Sequence, residues 1–142
     1  MFRQAAAQLG KPVLIGAAAL WLSLPALAAP AASLLADLKL PAGTRLAHLF
    51  AANAIGQTSL NGQVAQTPEG LLSAVRSSLE QQGYRERTIN TVSGAWGFNL
   101  VMEPPADVQV DGTQPGKTAA LVVQSTALGP GKLNLNIRFE GL

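Results

Sequence analysis

The sequence predicts one small α+β domain, a mainly antiparallel sheet of five to six strands with a single helix packed on one face. Three features predict it. Thr67-Pro68-Glu69 is a helix-start signal followed by an apolar stripe; residues 118–125 and 133–139 are rich in strand formers; and a chain of 142 residues with an export-type leader suits one core rather than two.

Arg3 and Lys11 make the N-terminus positive, residues 13–24 (VLIGAAALWLSL) form an apolar run, and Ala26-Leu27-Ala28 supplies the small-x-small pattern that signal peptidase reads. Residues 1–28 are therefore expected to be a signal peptide, cut between Ala28 and Ala29. Pro25 keeps the segment ahead of the cut out of helix. The competing expectation is a retained anchor, because residues 12–36 carry no charge. The strongly apolar run is shorter than the roughly 20 residues a helical span needs, which favours cleavage. Either outcome places the body of the chain in the periplasm or outside the cell, with a membrane contact only through an uncleaved signal.

Residues 29–43 read as a leader or linker, in which Leu34, Leu35 and Leu38 either dock as one apolar turn or remain a tether. The α+β domain is expected over residues 44–142. Within residues 44–53, Leu46, His48 and Phe50 alternate with Ala47, Leu49 and Ala51, a period of two that predicts an interior strand. Residues 57–66 are polar and broken by Asn61-Gly62, so an edge strand or hairpin tip is expected there.

The helix is expected over residues 68–82. Thr67 is its hydroxyl N-cap, Pro68 occupies a position that needs no amide hydrogen, and Glu69 sits at the positive end. Leu71, Leu72, Val75 and Leu79 form one stripe of a 3.6-residue period, which must cover a sheet. Gly83 suits the left-handed residue past the helix end, with Tyr84 folding back as its apolar contact.

Residues 84–92 read as a polar strand, Ser93-Gly94 as a turn, and residues 95–103 as a strand with Trp96, Phe98, Leu100 and Met102 on one face. Gly97 inside it suggests a bulge or a close backbone approach. Residues 104–117, with three prolines, form a long excursion. Residues 118–125 are apolar without alternation and look central. Leu133, Leu135, Ile137 and Phe139 alternate with polar residues, so the last strand is buried on one face only, and residues 127–132 make the hairpin loop before it.

Composition narrows the function. Ten basic residues stand against eight acidic ones, but Arg3 and Lys11 belong to the signal, so the exported part is balanced. With few aromatics besides, it lacks the positive field and stacking platforms of a nucleic-acid binder. The absence of cysteine excludes disulfides, thiol nucleophiles and thiolate metal sites. Residues 112–118 (GTQPGKT) imitate a phosphate-binding loop but have one residue too few between the glycines and lead into a strand. His48, the lone histidine, has no Gly-x-Ser-x-Gly partner motif. Glu103, Asp107 and Asp111 lack the density of a calcium loop. No metal or cofactor is expected.

Arg85 and Arg87 should share one strand face with Glu86 on the other, giving either a solvated edge or a partner-docking site. Trp96 and Phe98 serve first as core. Neutral Asn, Gln, Ser and Thr are abundant at outward strand positions, which suits a hydrogen-bonding surface. The leading expectation is a small exported non-enzymatic protein that binds a protein partner, an envelope component or a second copy of itself. The alternative is a periplasmic binder of a small apolar ligand between helix and sheet, with Leu49, Trp96, Phe98 and Val122 lining the cavity. A third is an enzyme using His48.

Overall fold

Capping and turn chemistry fix the local elements, and long-range strand pairing then orders them. The structure, a computed structural model, describes residues 28–52 and 57–142, without the side chains of residues 45–52 and 57. Along the chain run β1 (Ala28–Ala29), α1 (Ala31–Ala36), β2 (Arg45–Ala52), β3 (Gln57–Val64), α2 (Pro68–Gln81), β4 (Arg85–Glu86), a 3₁₀ turn (Thr88–Asn90), β5 (Val92–Gly94), β6 (Gly97–Glu103), β7 (Gln109–Val110), β8 (Ala119–Gly129) and β9 (Lys132–Gly141). The main sheet is antiparallel throughout, in the order β2-β3-β9-β8-β6-β4, with β5 also paired to β6. β1 and β7 make a separate, parallel pair of two residues each. The fold is α+β.

Helix α2 starts where the Thr67 hydroxyl accepts from the Gly70 amide at 3.2 Å. It ends in a Schellman turn: Gly83, at φ 88°, donates to Glu80 O, and the Tyr84 amide donates to Leu79 O, each at 3.0 Å. Leu71, Leu72, Val75 and Leu79 are buried in one core with Phe98, Leu100, Leu121, Leu135 and Ile137 of the sheet. Each such leucine contributes about 2 kcal/mol by leaving water. Leu35 of α1, only 1% exposed, belongs to the same core. The Ser78 hydroxyl and the Gln82 amide both donate to Lys39 O, at 2.7 and 2.8 Å, so the leader segment docks rather than trails.

Four local expectations are corrected. Among the described residues β2 is an edge strand, paired only with β3, whereas β3 lies inside the sheet between β2 and β9. Leu60 and Val64 of β3 are buried, while Ser59, Asn61 and Gln63 pair with Arg138, Asn136 and Asn134 on the opposite face. The polarity of β3 thus reports an open face, not an edge. Asn61-Gly62 stays extended, and the irregularity falls on β2 between Leu46 and His48.

Residues 84–92 do not form one strand. The Thr91 hydroxyl accepts from the Val101 amide and donates to Arg87 O, replacing a ladder bond and turning the backbone into the 3₁₀ segment. Trp96 does not join Phe98, Leu100 and Met102 in the core. Gly97 has φ 137° and lies so close to β8 that a Cβ there would run into the Ser125 carbonyl. The alternation therefore restarts at Phe98, and Trp96 is 49% exposed.

Candidate functional site

Both helices pack into the core on one face of the sheet, and among the described residues no element covers the other. Strand register arranges its outward residues in rows that cross four strands. Ser59, Arg138, Val122 and Val101 make one row; Asn61, Asn136, Gln124 and Asn99 the next; Gln63, Asn134, Thr126 and Gly97 a third. The first row holds a hydroxyl, one charge and two valines, and the four-residue rows beyond it carry no charge. Val101, Ala120 and Val122 form a small buried cluster of their own on this face.

The polar residues are tied to one another. Arg138 donates to Glu140 Oε1 at 2.6 Å through Nε, and through Nη1 to Asn136 Oδ1 at 2.7 Å and Gln124 Oε1 at 3.1 Å. Because the Asn136 oxygen is taken by Arg138, its Nδ2 faces Asn61 and donates to Oδ1 at 2.7 Å. Asn61 Nδ2 in turn donates to Ser59 Oγ at 3.1 Å. Each amide in this chain has one orientation, so the surface is ordered before anything binds.

Arg85 and Arg87 meet at the edge of this face, on Glu103. Arg85 Nη2 donates to Glu103 Oε2 at 2.6 Å, and Arg87 Nε lies 3.8 Å from Oε1. The hydrogen bond from Arg85 holds the Glu103 carboxyl below the usual carboxylate range, outweighing partial desolvation and reinforced by the two positive charges. The same bond raises the Arg85 guanidinium. Glu86 points the other way, toward Arg76 of α2, as strand alternation requires. Arg85 remains 83% exposed at its side chain.

Of the four residues expected to line an apolar pocket, the three whose side chains are described, Trp96, Phe98 and Val122, are not brought together. Phe98 is fully buried on the helix side, Val122 is buried on the opposite side, and Trp96 stands at the β5–β6 turn. An alternating strand sends Phe98 and Val122 to different faces, which separates them. The Leu49 side chain lies outside the described residues, as does that of His48, whose backbone pairs with Asn61. Among the described residues no three metal-ligating side chains gather. A separate open cleft of about 460 Å³ lies at one end of the sheet, lined in part by Val110, Thr113, Lys117, Phe139 and Glu140.

The Asn61–Asn136–Arg138–Gln124 ladder is what sequence reasoning missed. The outward amides were visible as a composition, but their partnership spans 75 residues between Asn61 and Asn136 and exists only through strand register. Compared with protein-family models, curated proteins and solved structures, the chain matches none.

Proposed function

We propose that the chain is a small exported, non-enzymatic binding protein whose docking surface is the uncovered sheet face. The observation that carries this reading is the connected ladder from Ser59 to Gln124 and Glu140, six side chains joined by five hydrogen bonds, with Gln124 exposed and Ser59 buried. A solvated surface needs no such order, because water satisfies each amide separately. Pre-oriented amides lower the entropic cost of engaging a partner. Arg85 and Arg87 flank the face, with Glu103 balancing them. The signal segment supports delivery outside the cytoplasm, and among the described residues no helix is long and apolar enough to cross a membrane.

The test is site-specific photo-crosslinking in intact cells. A crosslinker at Gln124 should trap a bound component, and one at Ser77, on the solvent side of α2, should not. Arg138→Ala should weaken the Gln124 product. Equal trapping from both positions overturns the reading.

A further inference from the structure

We infer that the chain forms a homodimer through β2, whose outer edge pairs antiparallel with β2 of a second copy and carries one sheet across both. The inference concerns a sheet edge and stands apart from the docking-face reading above.

The main sheet ends differently on its two sides. On one side β6 is flanked only by β4 and β5, two and three residues long, with the 3₁₀ turn between them. Arg85, Glu86 and Arg87 fall there, and the Arg85 side chain is 83% exposed. Short strands, a break and charges are the means by which a sheet edge is kept from pairing with another chain. The other side is β2, eight residues long and, among the described residues, paired only with β3. From Leu46 to Ala52 it holds no Lys, Arg, Asp, Glu, Pro or Gly. Its bulge falls between Leu46 and His48, so His48 to Ala52 run in unbroken register with Asn61 to Gln57. An edge strand of this length and composition offers its outer N–H and C=O groups to another strand with nothing to repel it.

A second copy is the occupant that this edge fits. Pairing about a two-fold axis is self-complementary, so the edge that needs a partner is also the partner. With both helix layers on one side of the joined sheet, opposed residues must share strand parity, and the axis therefore passes through a residue. Centred on the regular run from His48 to Ala52, it passes at Phe50. Phe50 then stands opposite its own copy, Leu49 opposite Ala51, and His48 opposite Ala52. That register sets an aromatic pair at the centre and a large residue against a small one on either side. It also carries the two Arg45 residues about 30 Å apart along the strands, whereas a parallel pairing in register would set them against each other. Because the opposite edge is guarded, the assembly closes at two chains and leaves no long edge open. The two uncovered faces then lie on the same side of the joined sheet.

The test is sedimentation velocity on protein expressed from the full sequence and purified, from low micromolar to submillimolar concentration. A dimer supports the inference. A monomer at every concentration, whichever N-terminus the product carries, or species that grow beyond two chains, overturns it. Ala51→Lys sets a charge beside the axis and should weaken dimerisation about tenfold or more, while Val92→Lys on the guarded edge should leave it unchanged. Melting curves establish that both variants are folded; equal effects from the two overturn the inference. The chain has no cysteine, so Phe50→Cys gives one thiol per copy at the axis and Arg45→Cys one far from it. A short bismaleimide should join the first variant into a covalent dimer and not the second. This pair decides the matter even if Ala51→Lys fails to fold, and any other crosslinking result overturns the inference.

Discussion

Arg76 on α2 grips both carboxylate oxygens of Glu86 on β4, donating through Nε at 3.2 and 3.0 Å and through Nη2 at 3.0 Å. The pair ties the helix to the short strand at the sheet edge. Glu86 is 14% exposed at its side chain and Arg76 35%, so the contact is only partly screened by water.

Arg76→Ala should therefore lower stability by about 1–2 kcal/mol, as should Glu86→Gln. The two effects should not add, because each variant breaks the same contact. Urea denaturation midpoints of the singles and the double variant measure the coupling. A coupling near zero would show the pair to be decorative.

Glu103 gives a pH signature. Its carboxyl is held below the usual range in the folded protein, first by the hydrogen bond from Arg85. A group depressed in this way stabilises the fold above its unfolded pKa and loses that contribution as pH falls through its folded pKa. Glu103→Gln should thus melt slightly lower than wild type at neutral pH, with the difference vanishing on acidification. Melting temperatures across the acid range, at low and high salt, check it; salt should shrink the neutral-pH difference.

Gly97 and Gly112 separate two penalties. Both have positive φ, but a Cβ at Gly97 meets the backbone of β8, whereas nothing lies near one at Gly112. Gly112→Ala should cost about 1 kcal/mol for backbone conformation alone. Gly97→Ala should cost more than about 3 kcal/mol, because β6 and β8 must move apart. Comparison of their denaturation midpoints decides between steric and conformational control.

Leu35 tests the leader segment. Leu35→Ala should destabilise by about 2–4 kcal/mol through the cavity it leaves. Leu128→Ala, at an exposed hairpin residue, should change stability by less than about 0.5 kcal/mol. Similar melting temperatures for the two would return residues 29–43 to the role of a tether.

Legibility in the sequence followed the range of the interactions. Thr67, Pro68 and Gly83 act within a few residues of themselves, and α2 ends where they indicate. Leu133 to Phe139 alternate because one face is buried, and β9 shows that pattern directly. The close approach at Gly97 was legible as an interrupted strand. Sheet order was not: whether β2 or β3 is interior depends on β9, whose pairing partner on β3 lies more than half the chain away. The apolar alternation of residues 44–53 says that both faces are occupied, not how many strands flank them. The candidate site failed for the same reason. Asn61, Gln124 and Asn136 are ordinary polar residues singly, and become a surface only when three strands set them side by side.

The parallel pair of β1 with β7 bears on the expected cut between Ala28 and Ala29. The Asp111 amide donates to Ala29 O at 2.8 Å, so a chain beginning at Ala29 has its first peptide unit already clamped to β7. Exopeptidases must draw several loose residues into their active sites before they can trim a chain. A chain cut there would offer them none until Ala29 peels away from β7, and would resist nibbling from the front.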